Sequence, residues 1–245
     1  MDTSPPSKHG AASKDLRVPH RVTITWADVR TFILATFTLV GIFALIGRGV
    51  TKWSWLQETD RQLMDDVVES RTATMNTLTK YGSLLAETWV KIAVTLLVIV
   101  VMYALWRRSY EALFVALTLI YEALVFILVT WIVERPRPDV VRLEGSPVDS
   151  SFPSGHTAAA FAYLAIALAF GWHSRRQWTR ALGVVIVLVV VGIVGYSRFY
   201  RGMHYLVDVT AGAALGAISV AVMLWFVRRI GDRSLATQGA PNGIS

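Results

Sequence analysis

Six apolar segments are the feature that most constrains the fold of this chain. Each is near the length that an α-helix needs to cross a bilayer of about 30 Å at 1.5 Å per residue. A lipid-exposed backbone has to satisfy its own hydrogen bonds, so such segments form helices. The sequence therefore predicts an all-α integral membrane bundle, with spans at residues 29–47, 84–106, 111–133, 157–172, 180–197 and 205–227.

The composition agrees with a membrane protein and argues against other classes. Hydrophobic residues make up 54% of the 245 residues and charged residues only 17%, which is too apolar for an ordinary soluble domain of this length. The net charge of +7 could indicate a nucleic-acid partner, but the basic residues cluster at the ends of apolar segments, so no nucleic acid is expected. No cysteine is present, which excludes disulfides and thiolate metal sites.

Three regions are expected along the chain. Residues 1–25 contain Pro, Ser and Gly with scattered basic residues and no apolar period, which predicts a flexible cytoplasmic tail. Residues 231–245 are similarly polar and predict a second flexible cytoplasmic tail. Residues 26–230 between them then form one six-span domain. The sequence does not indicate an oligomeric state.

Short positive clusters predict the orientation in the membrane. They lie before the first span, after the second, after the fourth and after the sixth, so alternate connections carry them. Positively charged connections face the cytoplasm. We therefore expect a multi-pass protein of the plasma membrane with both termini in the cytoplasm and the remaining connections outside.

The connection between the first two spans has a pattern of its own. Residues 48–80 carry five charged residues of each sign, while Leu63, Val67, Met75 and Leu78 fall near helical spacing. This pattern predicts an extra interfacial helix on the outer leaflet. Such a helix could be a lid or lipid-entry element, or an ordinary amphipathic connector, and the sequence leaves both open.

Three short polar motifs lie beside the apolar segments, in connections that are expected outside. They are R-P-R-P at residues 135–138, P-S-G-H at 153–156 and S-R-x5-H-x3-D at 197–208. Phosphoryl transfer needs positive groups around the phosphate oxygens, a nucleophile in line with the leaving oxygen, and an acid. Each motif alone is common, but the three together indicate one phosphate-handling site with a nucleophilic histidine.

This combination resembles the type 2 phosphatidic acid phosphatase (PAP2) family, whose fold also serves the vanadium haloperoxidases. The resemblance covers about Trp26 to Arg229 and implies a six-span lipid phosphatase that forms a phosphohistidine without a metal or other cofactor. Scattered acidic residues in the outer loops agree with a metal-free site. The chain departs from the family in its first motif, K-x6-R-P, because Thr130 occupies the lysine position counted back from Arg137.

The resemblance assigns the catalytic roles to the second and third motifs. It makes His204 the nucleophile, with Asp208 as its support, and His156 the general acid. His204 and Asp208 are four residues apart at the entrance to the sixth span, so one helical turn is expected to place the carboxylate beside the ring. A carboxylate there would fix the tautomer and leave the other nitrogen free to attack phosphorus.

The phosphate-binding groups also follow from the resemblance. They are Arg137, Arg198, Ser154 and the backbone N–H of Gly155. Paired guanidinium donors suit adjacent phosphate oxygens. Ser154 and Gly155 are expected at a helix start, which is a natural anion site, with Ser154 as a capping residue.

Several further residues are secondary candidates. Arg135 and Arg201 lie close to the two motif arginines, and Thr130 can donate a hydroxyl but no charge. Arg135 or Lys91 could replace the missing lysine, and the sequence does not decide between them. Glu122 in the middle of the third span is costly to bury and is expected to pair with Lys91 or a hydroxyl.

The expected substrate is a polyprenyl diphosphate such as undecaprenyl diphosphate, with phosphatidic acid or phosphatidylglycerol phosphate as alternatives. A phosphate site at the membrane surface suits a lipid whose tail stays in the bilayer. A rival from another class is a lipid-phosphate binding or transport-like protein without turnover. A haloperoxidase fits less well, because those relatives are mostly soluble and need bound vanadate.

Overall fold

The computed structural model describes residues 24–106, 109–145, 149–172, 174 and 176–239. Within these ranges the regular structure is entirely α-helical, as the sequence predicted. The helices are α1 (Trp26–Val50), α2 (Ser54–Glu69), α3 (Ala73–Leu84), α4 (Thr88–Trp106), α5 (Ser109–Val133), α6 (Gly155–Ala160), α7 (Ala162–Gly171), α8 (Gln177–Tyr200) and α9 (Leu206–Gly239).

Five of the helices in the described ranges, α1, α4, α5, α8 and α9, are long and apolar enough to cross a bilayer. The fourth predicted span corresponds instead to a shorter apolar stretch, Gly155–Gly171, which is divided into α6 and α7 at Phe161. The backbone N–H of Phe161 bonds the carbonyl of Ala158, three residues back, so the helix tightens at that point. The all-α membrane fold is therefore confirmed, while the count of six full-length spans is not.

The connection between α1 and α4 contains two helices rather than the single interfacial helix that was predicted. α2 ends at Glu69, and Thr72 caps α3 by accepting a hydrogen bond from the backbone N–H of Met75. This capping residue starts a second helix. α3 continues to Leu84, so the second span begins at Thr88 rather than at the predicted residue 84.

The last helix is longer than the sequence predicted. α9 runs to Gly239, so residues 231–239 are helical where a flexible tail was expected. Arg233 in this extension hydrogen-bonds the Thr25 hydroxyl and forms an ion pair with the buried carboxylate of Asp28. These contacts join the end of α9 to the start of α1. The rest of the two predicted tails, residues 1–23 and 240–245, lies outside the described residues.

Two glycines of α9 bring the second and third motifs together. A Cβ at Gly212 would collide with the backbone carbonyl of Ser154, and a Cβ at Gly216 would collide with the carbonyl of Ala158. The backbone N–H of Ser154 also donates to the carbonyl of Asp208 at 2.9 Å. Close packing of α9 on α6 thus places the start of one helix beside the start of the other.

Candidate active site

A cavity of about 160 Å³ lies where α4 and α6 begin and where α5 and α8 end. Residues from all three motifs line it: Arg137, Gly155, His156, Arg198 and His204. The predicted convergence of the motifs on one site is therefore seen in the structure. The cavity wall also includes Glu87, Lys91, Glu122 and Glu144.

His204 lies in the turn between α8 and α9 and is only 3% exposed. Its Nδ1 is 2.7 Å from the backbone carbonyl of Ser151, and its Nε2 is 3.4 Å from Nη1 of Arg137. A carbonyl can only accept, so Nδ1 carries the proton and Nε2 keeps its lone pair. The lone pair therefore lies beside a guanidinium at the cavity, where it can attack a bound phosphorus atom.

Asp208 does not contact the His204 ring, and this part of the prediction is wrong. One carboxylate oxygen pairs with Arg135, and the other accepts the backbone N–H of Tyr205 at 2.9 Å. The physical reason is that α9 begins only at Leu206, so His204 precedes the helix and the four-residue spacing does not span one helical turn. The Ser151 carbonyl fixes the tautomer instead.

Arg135 is held in a buried ion-pair network and does not line the cavity. Its Nη2 lies 3.0 Å from Oδ2 of Asp60, and its Nη1 pairs with Asp208. All three side chains are buried, and the two carboxylates satisfy the guanidinium. Asp60 comes from α2, far from any motif, so sequence reasoning missed it. The network connects α2 to the first turn of α9, next to His204.

His156 has a carboxylate partner that the sequence did not reveal. Its Nε2 is 3.3 Å from Oε2 of Glu87, which lies in the short connection between α3 and α4. Both side chains line the cavity. Glu87 belongs to no motif, and its only sequence signal is its position four residues before Lys91 at the start of an apolar span.

Ser154 and Gly155 form the start of α6, as predicted, but only Gly155 lines the cavity. The Ser154 hydroxyl makes no capping hydrogen bond; it is fully buried and lies 2.9 Å from the hydroxyl of Thr157. Because Ser154 does not line the cavity, its hydroxyl is not in position for the predicted contact with phosphate. A Cβ at Gly155 would collide with the ring of Phe126, so the position requires glycine.

Arg198 lines the cavity and is fixed by two partners. Its Nη1 donates to the Ser83 hydroxyl at 2.9 Å and pairs with the carboxylate of Glu144. Arg201 lies 3.1 Å from the same carboxylate and donates to two backbone carbonyls, but it does not line the cavity. The guanidinium of Arg198 can therefore bind an anion in the cavity, whereas Arg201 stabilises the surrounding loop.

Comparison with known proteins agrees with this arrangement of motifs. Residues 111–232, which include all three motifs, match the PAP2 superfamily. The chain belongs to the PAP2 superfamily.

Two relatives and one solved structure illustrate the similarity. The chain is 31% identical over 138 residues to undecaprenyl-diphosphatase BcrC of Bacillus subtilis, covering 52% of this chain and 63% of the relative. It is 33% identical over 128 residues to phosphatidylglycerophosphatase B of Bacillus subtilis, covering 51% of this chain and 62% of the relative. The chain therefore spans less than two thirds of the length of each relative.

The solved structure shows the same fold. It is the transmembrane PAP2 type phosphatidylglycerolphosphate phosphatase from Bacillus subtilis, with a TM-score of 0.71 and 24% sequence identity. The similarity covers 78% of this chain and 95% of that chain. The multi-pass PAP2 membrane fold thus extends over most of the molecule.

Thr130 does not take the place of the PAP2 lysine at the cavity. It lines a different hollow of about 510 Å³, together with Ile127 and Trp131 on the outer face of α5. Its hydroxyl is buried and has no hydrogen-bond partner among the described residues. Lys91 and Glu122, in contrast, both line the catalytic cavity and interact electrostatically.

The electrostatics of the cavity favour a neutral His204 ring next to charged guanidinium groups. Burial, together with the positive charges of Arg198 and Arg137, lowers the pKa of His204 well below its usual 6.5. Burial, reinforced by Arg198 and Arg142, also lowers the pKa of Arg137, to about 10, so this group stays charged at neutral pH. Among the described residues, no group of three or more His, Asp or Glu could hold a metal ion.

Proposed function

We propose that this protein is an integral-membrane lipid phosphatase that forms a phosphohistidine on His204. The observation that carries the proposal is the lone pair of His204 Nε2 at a cavity that Arg137 and Arg198 also line. A neutral ring nitrogen and two guanidinium groups around a space of phosphate size support a nucleophile with two cationic phosphate ligands. The names of the PAP2 relatives support the same reaction class.

The reaction takes place in two steps. In the first, Nε2 attacks phosphorus while Arg137 and Arg198 bind the equatorial oxygens, and His156 gives a proton to the leaving oxygen. The hydrogen bond from Nδ1 to the Ser151 carbonyl stabilises the positive charge that develops on the His204 ring. In the second step, His156 takes a proton from water, which attacks the phosphohistidine and releases inorganic phosphate and His204.

Lys91 supplies the charge that other PAP2 proteins draw from the first-motif lysine. Thr130 lines a separate cavity, and the guanidinium of Arg135 is paired with the carboxylates of Asp60 and Asp208. Of the two candidates for replacing the lysine, only Lys91 lines the same cavity as His204. Glu122 balances its charge while the cavity is empty. A charge-assisted hydrogen bond from Lys91 to phosphate is worth roughly 1.5–3 kcal/mol.

The proposed substrate is a polyprenyl diphosphate, with phosphatidylglycerol phosphate or phosphatidic acid as alternatives. The relative that is named an undecaprenyl-diphosphatase favours the first, and the phosphatidylglycerophosphatase B favours the second. The alternating positive clusters support a plasma-membrane protein whose termini face the cytoplasm and whose catalytic cavity opens outside. There, phosphate enters from the headgroup region while the hydrocarbon tail stays in lipid.

The deciding experiment measures phosphate release from a panel of lipid phosphates by purified protein in detergent. Release that is inhibited by vanadate, which adopts the five-coordinate shape of the transition state, supports a phosphatase. The ranking of kcat/KM over undecaprenyl diphosphate, phosphatidylglycerol phosphate and phosphatidic acid identifies the substrate. Saturable binding of these lipids without any phosphate release would overturn the proposal in favour of a non-catalytic lipid-phosphate binder.

A further inference from the structure

The start of α4 brings a carboxylate to the histidine that is proposed as the acid. Glu87 is the residue before Thr88, where α4 begins, and its Oε2 lies 3.3 Å from Nε2 of His156. The backbone N–H of Lys91 bonds the carbonyl of Glu87 at 2.9 Å, which fixes Glu87 to the first turn of the helix. The two partners come from segments 69 residues apart, so the fold creates the pair.

The hydrogen bond to Glu87 occupies one of the two ring nitrogens of His156. A carboxylate accepts hydrogen from Nε2, and Nδ1 of His156 has no hydrogen-bond partner among the described residues. Nδ1 is thus the nitrogen available to exchange a proton with the leaving oxygen. The His204 ring has the opposite arrangement, with Nδ1 occupied and Nε2 available.

A carboxylate beside a histidine favours the protonated ring, which is the form a general acid needs. The burial of Glu87 opposes its charge, but the hydrogen bond and the charge of His156 outweigh this and lower the pKa of Glu87. Glu87 is therefore ionised when it meets His156. A structural ion pair at a helix start would need no access to the cavity, whereas both side chains line it.

Other charged groups face His156 from each of the elements around it. Burial is the largest effect and, together with Arg198 of α8, lowers the pKa of His156 to about 4, while Glu87 and Glu144 in the loop before α6 act in the opposite direction. The remaining titratable and charged groups in the cavity wall are Lys91 of α4, Glu122 of α5, Arg137 after α5 and His204 before α9. Among these groups, Glu87 is the carboxylate in hydrogen-bond contact with the ring, so it is the group that most directly opposes the effect of burial on His156.

We infer that Glu87 is a positioning residue for the proposed phosphatase reaction, which holds Nε2 of His156, favours protonation of this ring against the effect of its burial, and leaves Nδ1 for proton exchange with the leaving group. The inference rests on the proposed function and adds a group that belongs to none of the three motifs. It acts through His156 and not on phosphate itself.

The test compares Glu87→Gln with wild type on two substrates. A lipid phosphate has a poor leaving group and needs the proton, whereas an aryl phosphate with a nitrophenolate leaving group hardly does. Loss of the carboxylate should move the alkaline limb of kcat/KM for the lipid to lower pH by about one unit. At pH values above this pKa, kcat/KM for the lipid should be about tenfold lower in Glu87→Gln than in wild type, because a pKa change of one unit changes the protonated fraction tenfold.

Controls separate this effect from a loss of structure. Glu69→Gln makes the same chemical change at an exposed position of α2 and should leave both substrates and the pH profile unchanged. Glu87→Asp should restore part of the shift, because it keeps the charge. Equal losses on both substrates, or an alkaline limb that does not move, would contradict the inference.

A second measurement does not depend on turnover. Diethyl pyrocarbonate reacts with neutral imidazole, so its rate of reaction at His156, followed by mass spectrometry of the peptide across pH, reports protonation of this ring. Glu87→Gln should make His156 reactive at a pH about one unit lower. Unchanged reactivity would overturn the inference, while an absence of phosphate release from wild type would instead overturn the proposed function.

Discussion

The surroundings of the two motif histidines differ in the charge of their hydrogen-bond partners. His204 is 3% exposed and donates to a neutral backbone carbonyl, whereas the side chain of His156 is 22% exposed and meets the carboxylate of Glu87. A neutral acceptor fixes the tautomer of a ring and leaves it uncharged. A carboxylate favours the protonated ring. In the proposed reaction, this difference in hydrogen-bond partners suits His204 as the nucleophile and His156 as the acid.

The largest expected effect comes from His204→Ala. This change removes the only attacking atom of the proposed reaction, so no covalent intermediate can form. kcat/KM should fall below detection for both lipid and aryl phosphates. If His204→Ala kept aryl phosphatase activity while His156→Ala lost all of it, the roles assigned to the two histidines would have to be exchanged.

His156→Ala should have a large effect that depends on the leaving group. General acid assistance is worth about 10²–10⁴-fold when the leaving group is poor. kcat/KM for the lipid should fall by this factor, whereas kcat/KM for a nitrophenyl phosphate should change little, because that ratio reports formation of the phosphohistidine. Equal losses on both substrates would show that His156 does more than donate a proton.

A smaller effect is expected from Lys91→Met. This change removes one positive charge from the cavity that His156 and His204 also line. The loss of one charge-assisted hydrogen bond should raise KM and the vanadate inhibition constant about tenfold or more. Lys91→Arg should keep most of the binding. Lys80→Met, at an exposed position of α3, is the matched control and should behave as wild type.

If Lys91→Met leaves vanadate inhibition unchanged, the cation at the phosphate has to come from elsewhere. If Lys91→Met does weaken vanadate inhibition, adding Thr130→Lys to this variant tests whether position 130 reaches phosphate, because Thr130 lines a separate cavity. A lysine there should not restore binding to Lys91→Met. Restoration would show that the position reaches phosphate as it does in other members of the superfamily.

The smallest expected effect concerns pH. Because the folded pKa of His204 lies below 6.5, the ring stays neutral as pH falls through 6.5, and kcat/KM for an aryl phosphate should stay nearly constant there after correction for ionisation of the substrate. The unfolded chain binds a proton in this range and the folded chain does not, so the free energy of unfolding should decrease as pH falls below 6.5. An acid limb at or above 6.5 would contradict the neutral, buried ring.

Much of the fold was predictable because it depends on local apolar length. The sequence placed the membrane helices and the three motif connections, but it could not show that Phe161 divides the fourth segment or that Thr72 starts a separate α3. Both breaks depend on single residues within runs that otherwise favour helix. Arg233 also extends α9 by pairing with Asp28, a contact between the two ends of the chain.

The candidate site was predictable where motif residues act directly and unpredictable where their partners come from elsewhere. His204, His156, Arg137 and Arg198 meet at one cavity as expected. Asp208 was predicted as the partner of His204 because the two are four residues apart, but this spacing brings side chains together only inside a helix. α9 begins at Leu206, two residues after His204. The partner of His156, Glu87, lies on another segment, where no pattern of the sequence points to the pair.

The most direct test of the central claim maps the covalent intermediate. His156→Ala should form the phosphohistidine from a phosphorus-32-labelled aryl phosphate but lack the base that activates water, so the intermediate should accumulate after a rapid alkaline quench. We predict acid-labile label on the peptide that contains His204, attached to Nε2, because Nδ1 donates to Ser151. No label in this variant, label on Nδ1, or equal labelling of His204→Ala would contradict the account.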